Sequence, residues 1–569
     1  MWSLPIILIV LLSQAFSVDA HSIWPLPRKV SNGTTVIILD DYFDITYDFF
    51  DVPVDLKLAV DRTKRYLAWD QLSRLVVDRG LSDKIENFDK PETPRLFELR
   101  LELTNSDSRS ICDEAIADWE SRDESYTLLI PADNSAAILS AKTTLGLFRG
   151  LTTFTQLFYT FEEVLYTPYA PLTVEDAPAY PYRGFMLDTA RNYFPVADIK
   201  RLLEAMSWVK LNTFHWHVVD SQSFPLEVPG FMELSHHGAY RGHDGKKLKY
   251  TVENVDDIVS FAAARGIDVL VEIDMPGHTS VVSKAYKEHV ECAEGCRWSE
   301  LASEPPSGQL RYASANTTKW ASNLVESVGS MFPSKYMSTG GDEVNANCTA
   351  NDKISQAALR MSGKSAEQAL NVFMTEVQGA VKRVGKTPVV WDDMLLDKTR
   401  NVQLTNDTIV MVWHNEDAAV KVVEKGFKII HANYDYFYLD CGHGPWVVPT
   451  STYTSWCDPF KSWQKAYSFD PLANITRKEK DLVLGGEHLL WTEQASPHNL
   501  DSIAWPRAAA SAEVFWTGAK TSSGKPLDVR SALPRLHQMT YRMQKRGIRA
   551  TPLQPMWCAL RPGRCNSMG

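Results

Sequence analysis

Two regimes of apolar patterning divide the chain. In the first, Leu96-Phe-Glu-Leu-Arg-Leu-Glu-Leu103 alternates apolar and polar positions, the pattern of a strand with one buried face. Thr35–Leu39 and Tyr126–Ile130 read as further strands. Leu56 to Val77 sets Leu58, Tyr66, Leu67, Leu72, Leu75 and Val76 at helical spacing with charges between them, and Thr143 to Phe158 reads as a second one-sided helix. These elements predict a small α+β domain over residues 21–178. Pro168, Pro171, Pro178 and Pro181 punctuate its end.

Past that boundary, short apolar strands alternate with amphipathic helices. The strands are Gly184–Leu187, Thr213–Val219, Ile267–Ile273, Tyr336–Ser338, Pro388–Trp391, Ile409–Trp413, Lys428–His431 and Leu482–Gly485. Val196–Lys210, Val255–Arg265, Lys364–Val384 and Ala418–Lys425 are the clearest helices between them. Residues 179–569 therefore predict an α/β fold, a (β/α)8 TIM barrel with a C-terminal extension. A doubly wound sheet would carry a Gly-x-Gly-x-x-Gly turn after a strand, and none follows one here. Residues 441–480, rich in Trp, Tyr, Ser and Pro, read as a long loop between strands seven and eight.

Composition narrows the picture. The 569 residues are 44% hydrophobic and 23% charged with a net charge of −11, a soluble globular profile of more than one domain. The acidic balance and the lack of a long basic run argue against nucleic acid or an anionic membrane as the main partner. Seventeen Trp is a high count, and the flat indole face suits stacking on sugar rings. Leu4 to Leu12 is an apolar run followed by Val18-Asp19-Ala20, so residues 1–20 read as a secretory signal peptide. A secreted chain can form disulfides, and its eight cysteines allow 105 pairings. Short loops favour Cys558–Cys565 and Cys441–Cys457, with Cys348 taking Cys292 or Cys296. Asn32, Asn316, Asn347, Asn406 and Asn474 begin Asn-x-Ser/Thr sequons, candidate glycosylation sites on an exposed surface. No Cys-x-x-Cys pair of metal-binding spacing is present.

In a barrel of this kind the site forms at the carboxyl ends of the strands. Those ends carry Asp188 and Arg191 after Arg183, then His217 and Asp220, then Glu272, Asp274 and His278. The fourth delivers Asp342 and Glu343, the fifth Trp391-Asp392-Asp393, the sixth Trp413-His414. Tyr438 and Asp440 follow the seventh, and Glu487, Trp491 and Glu493 the eighth. Neighbouring residues of a strand face opposite ways, so Asp342 and Glu343 converge only if Gly340-Gly341 takes the backbone out of strand geometry. Two carboxylates in a Trp-lined pocket are the means of glycoside hydrolysis.

Arg183-Gly-Phe-Met-Leu-Asp188-Thr-Ala-Arg191, Phe214-His-Trp-His217-Val-Val-Asp220, Asp274-Met-Pro-Gly-His278-Thr, Gly340-Gly-Asp-Glu343-Val-Asn and Gly485-Gly-Glu487-His-Leu-Leu-Trp491-Thr-Glu493 together resemble family 20 glycoside hydrolases, the β-N-acetylhexosaminidases. Tyr436-Phe-Tyr438-Leu-Asp440-Cys-Gly-His-Gly is similar to the fungal and insect version. The resemblance implies a retaining exo-hydrolase that removes terminal N-acetylglucosamine, and N-acetylgalactosamine, from chito-oligosaccharides or glycans without metal or organic cofactor. It implies Glu343 as general acid/base, Asp342 as the group that orients the 2-acetamido nucleophile, and Tyr438 as donor to the acetamido carbonyl. Trp391, Trp413 and Trp491 would wall the sugar, while Arg183, Glu493 and Asp440 would hold its hydroxyls. Arg183 has a second reading as a fold-supporting ion pair. Asp220 and His278 match positions that contact substrate or support the acid; Asp188, Arg191, His217 and Glu487 match supports.

Ser221-Gln222 departs from members with a second acid after Asp220. Family members are often homodimers, and the destination is extracellular or vacuolar/lysosomal. The rival readings are a lapsed, lectin-like barrel that only binds sugar and an endo-acting chitinase-like hydrolase. The second lacks its Asp-x-x-Asp-x-Asp-x-Glu run before Glu343.

Overall fold

A computed structural model of the chain describes residues 23–567 apart from 84–89, 106–107, 295–296, 398–399, 401 and 448–453. The expected signal peptide and Cys296 lie outside the described residues. Lys29–Tyr47, Arg95–Leu103, Tyr126–Ile130, Ala137–Ala141, Tyr159–Phe161 and Val164–Asp176 form a six-stranded mixed sheet. Leu99 and Leu101 turn inward from the second of these strands, as alternation demands; Leu96 is buried out of phase with them and Phe97 is exposed, where the pairing with the first strand slips register between Leu39 and Asp44. The helix Thr144–Phe154 lies on the sheet and the helix Val54–Asp70 packs against it. That first helix ends sooner than its apolar spacing suggests, because Gln71 turns left-handed (φ 37°) and Leu72 and Leu75 are buried in the turn beyond. Pro168 and Pro171 are accommodated within the last strand of the sheet. They sit inside Val164–Asp176, where its pairing with the first strand slips register on both sides of Thr35, and a bulge spares the ladder the missing N–H.

Eight parallel strands close the barrel. In chain order they are Tyr182–Asp188, Thr213–Val219, Asp268–Ile273, Tyr336–Ser338, Thr387–Trp391, Ile409–Val412, Lys428–His431 and Val483–Leu490. All residues of the first, second, third and eighth are buried, which follows from having helices outside and one another's side chains within. Val196–Trp208, Val252–Ala263, Ala315–Met331, Ala366–Arg383 and Glu416–Val423 lie between strands. Thr251 with Asn254, and Ser365 with Gln368, close capping boxes at two of their starts, pairing amides that have no partner inside the helix. Between strands seven and eight the helices are short, Tyr434–Phe437 and Trp463–Tyr467.

Buried charge joins the sheet to the barrel floor. Arg183, outside the barrel near the start of its first strand, donates to Glu124 at 2.6 and 2.7 Å and to the carbonyls of Tyr180 and Lys210. Arg149 donates to the same carboxylate at 2.7 Å and Asn212 at 3.2 Å. Beside them Lys210 pairs with Asp176 at 2.9 Å, which also accepts from Trp516 and Tyr126. Burial would push the Glu124 carboxyl up, but the charges of Arg183 and Arg149 outweigh it and hold the group down to about 2. Arg183 is thus a structural cation and not a sugar ligand. Asp188 at the strand's carboxyl end lies five residues further on, about 16 Å at 3.3 Å per residue.

Glu124→Gln leaves Arg183 and Arg149 without a counter-ion and should cost about 3–5 kcal/mol in urea unfolding at pH 7. A carboxylate whose folded value lies below its unfolded value of 4.5 stabilises the fold above that pH and loses the contribution as pH falls toward 2. The gap between variant and wild type should therefore shrink below pH 4; an equal gap at both ends would show that charge is not the cause.

Candidate active site

The fourth strand ends at Ser338, and the chain turns at once through Gly340 (φ 59°) and Gly341 (φ 104°). A Cβ on Gly340 would run into the Asp274 carboxylate, and one on Gly341 would come within 2.5 Å of Met394. Glu343 (φ 50°) and His278 (φ 53°) are themselves left-handed, a conformation that costs energy in residues with a Cβ and clusters at functional sites. The distorted turn lets both acids face one cavity.

That cavity has a volume of about 690 Å³. It brings together Asp342, Glu343, His278, Trp413, Tyr438, Asp440, Trp491 and Glu493 of the residues singled out in the sequence. It does not reach Arg183, Asp220 or Trp391. Trp391 is buried against Trp491 and His215, with ring centroids 6.4 and 5.8 Å away. Asp220 is fully buried behind His278, with Oδ1 3.2 Å from His278 Nδ1 and Oδ2 2.8 Å from His217 Nε2. Its place is to hold the histidine rather than to touch a ligand.

Arg191 occupies the wall where a cation for sugar hydroxyls was expected of Arg183. Its guanidinium lies 5.0 Å over the Trp491 ring and pairs with Asp188, Asp220 and Glu304 at 3.3, 3.1 and 2.7 Å. Asp188-x-x-Arg191 at the end of strand one was the signal for it. Ser303 and Glu304, which complete the same wall, carry no local pattern that marks them. The Cys292–Cys348 disulfide ties their segment to the short helix after the acid turn. Gln222, one of the two residues that depart from the family pattern, donates to Glu304 at 2.9 Å. Trp446 and Trp456 of the long loop form the outer rim, with Trp456 edge-on to Trp413 and Tyr438 at 6.0 Å.

His278 Nε2 lies 3.3 Å from Glu343 Oε2 and 3.6 Å from Asp342 Oδ2. These are ion-pair distances without well-aligned hydrogen bonds. Burial alone would raise the Glu343 carboxyl, but the hydrogen-bonding reach and charge of His278 hold it below its ordinary 4.5. Asp274, behind Gly340, is pushed well up by burial and then by the charge of Asp342. Burial lifts Asp440 to about 7 and raises Glu493 well above the usual range. Asp342 Oδ1 and Asp440 Oδ1 are buried without a protein partner; such atoms are costly unless something polar meets them.

His217, Glu272 and Asp274, and Asp274, His278 and Asp342, are grouped closely enough to suggest a metal. Both nitrogens of each histidine already face carboxylates, so these donors are spent on one another. Cys441–Cys457 and Cys558–Cys565 are also joined, and among the described residues Cys112 has no disulfide partner. All five sequon asparagines are exposed.

Comparison with known proteins places the chain. The family model described as glycosyl hydrolase family 20, catalytic domain, matches residues 180–519, and one described as beta-acetyl hexosaminidase like matches residues 23–157. A beta-hexosaminidase of Arthroderma benhamiae is 33% identical over 81% of this chain and 77% of its own. A chitooligosaccharidolytic beta-N-acetylglucosaminidase of Ostrinia furnacalis is 35% identical over 78% and 75%. Among solved structures, the Flavobacterium johnsoniae chitobiase superposes with a TM-score of 0.72 at 26% identity, over 93% of this chain and 73% of that one. The chain belongs to glycosyl hydrolase family 20 and is a glycoside hydrolase of the β-N-acetylhexosaminidase class.

Gly340→Ala tests the turn. The added methyl must displace Asp274 or the backbone, so we expect a loss of about 1–3 kcal/mol in unfolding free energy and a fall in turnover out of proportion to it. Full activity with unchanged stability would mean the turn tolerates a Cβ and does not set the acids.

Proposed function

We propose that the site releases single terminal N-acetylhexosamine units by the substrate's own acetamido group, with Glu343 as proton donor and Asp342 as guide. The adjacency of the two acids, turned into one cavity under a shared histidine, supports this reading most strongly. Glu343 gives its proton to the glycosidic oxygen as the C1–O bond breaks and the alcohol departs with its electron pair, while the acetamido carbonyl oxygen bonds to C1, leaving an oxazolinium ion. Family 20 is among the substrate-assisted hydrolases, so no protein nucleophile is needed. Asp342 accepts the acetamido N–H and faces the positive charge that develops; its unpartnered buried oxygen suits that duty. Tyr438, buried between Trp491 and Trp456, donates to the acetamido oxygen. Water then adds to C1, Glu343 takes its proton, and configuration is retained.

Arg191, Asp440 and Glu493 take the outer hydroxyls, and Trp413 and Trp491 enclose the ring. The substrate is a β-linked oligosaccharide or glycan ending in N-acetylglucosamine or N-acetylgalactosamine. The three disulfides support an oxidising destination, outside the cell or in a vacuolar or lysosomal lumen. Among the described residues no helix is long and apolar enough to cross a membrane.

Glu343→Gln should lower turnover of an aryl N-acetyl-β-glucosaminide by about 10²–10⁴, and Asp342→Asn by about 10²–10³. A panel of aryl β-glycosides with and without the acetamido group checks the mechanism: hydrolysis of the plain glucoside at a comparable rate would sink it.

The proton donor must be protonated when substrate arrives, and His278 depresses Glu343 in the free site. The value of kcat/KM should therefore fall as pH rises from the acidic range. His278→Asn removes the cation, lets the carboxyl rise and should move that falling limb to higher pH. A limb that stays or moves lower would overturn the assignment of His278.

A further inference from the structure

Beyond the acids in the cavity lies an unbroken line of buried ionisable side chains. Glu487 of the eighth barrel strand stands 3.0 Å from His215 Nδ1, and His215 Nε2 is 3.2 Å from Glu272 of the third. Glu272 then lies 2.6 Å from His217 Nδ1, and His217 Nε2 2.8 Å from Asp220. Asp220 meets His278 at 3.2 Å, and His278 reaches Glu343 at 3.3 Å. Carboxyl and imidazole alternate at every link, and each imidazole turns both nitrogens toward carboxylates, His278 Nε2 at ion-pair distance only.

The arrangement follows from strand geometry. His215 and His217 are two residues apart and so share the inner face of the second strand, and His217 is the register partner of Glu272. Glu487 is the register partner of Gly184, where a Cβ would sit 2.8 Å from its carboxylate; the glycine leaves it room. Hydroxyls close the remaining valences: Tyr182 donates to Glu487 and Ser338 to Glu272.

We propose that Glu487, His215, Glu272 and His217 form a positioning relay for Glu343, acting through Asp220 and His278, that sets the strength of Glu343 as a proton donor. The proposal rests on the reading of Glu343 as the general acid. Glu487 and Glu272 do not line the cavity, so they act only through the chain. Asp220 offers Oδ1 to His278 and the Ser221 amide, and Oδ2 to His217 and Arg191. His217 thereby fixes the rotation of the Asp220 carboxylate, which aims His278. Burial disfavours a charged imidazole, but the flanking carboxylates outweigh it, holding His215 up to about 10 and His217 up to about 9. Glu272 is held well below its ordinary range against burial by the two rings. No proton leaves the relay. When Glu343 gives its own to the departing oxygen, the new carboxylate faces a His278 cation already held in place.

The test uses leaving groups. A departing sugar alcohol needs the proton and a 2,4-dinitrophenolate does not, so a weakened acid slows the first far more than the second. For Glu272→Gln we expect kcat/KM on diacetylchitobiose to fall about tenfold, with at most a twofold fall on the 2,4-dinitrophenyl glycoside. An equal fall on both, or none on either, overturns the relay. Glu343→Gln is run beside it as the benchmark. If that variant shows the leaving-group dependence and Glu272→Gln does not, the acid stands and the relay fails. If Glu343→Gln lacks the dependence, the functional reading itself fails. Should Glu272→Gln not fold, ring-nitrogen NMR of the wild-type protein decides. His215 and His217 protonated on both nitrogens at pH 7 agree with the relay, and a neutral ring at either position rules it out.

Discussion

Glu272 lies inside the barrel with His215 on one side and His217 on the other, and much else in the molecule answers to that placement. Barrel interiors are ordinarily filled by branched apolar side chains. A carboxylate and two imidazoles there are tolerable only if each charge is paired and each polar atom bonded. That requirement passes outward from residue to residue. His215 requires Glu487, which requires the empty space over Gly184; His217 requires Asp220, and Asp220 requires Arg191 and His278. The last members of the series stand at the cavity. The polar interior and the site are thus one electrostatic system.

The same logic governs the floor of the barrel with a different outcome. Arg183, Arg149 and Glu124 form a buried group whose members do not line the cavity of the two acids, and their result is attachment of the six-stranded sheet. Two arginines eight residues apart on one strand and its exit therefore have unlike work. Arg183 anchors the sheet from the amino end, while Arg191 reaches the cavity from the carboxyl end. At the rim, strain replaces pairing as the organising feature. Gly340, Gly341, Glu343 and His278 all take left-handed backbone, and the fit of Asp274 and Met394 against the glycines keeps the turn from relaxing.

Local pattern, by itself, determined much of this protein. Short apolar runs between amphipathic helices marked all eight barrel strands, the eighth read five residues short of its end at Leu490, since a strand buried on both faces is apolar along its length whatever its neighbours. The motifs gave the family and the acids, because Gly340-Gly341-Asp342-Glu343 records a backbone requirement in its own letters. Local letters said less about how the last strand of the sheet holds its prolines: Pro168 and Pro171 lie inside Val164–Asp176, and a register slip against a strand more than 130 residues away accommodates them.

Tertiary structure decided which residues meet. Whether Arg183 or Arg191 lines the cavity depends on strand direction and on the partner Glu124 supplied by the sheet, neither of which the segment itself records. Ser303, Glu304, Trp446 and Trp456 join the site only because a disulfide and a long loop bring them over the barrel mouth. The His–Glu line through the interior is likewise absent from any single motif. Strand alternation puts His215 and His217 on one face, but only the closed barrel sets Glu272 and Glu487 against them. A sequence records which side chains can be buried; long-range closure fixes their partners, and the partners determine what a buried charge does.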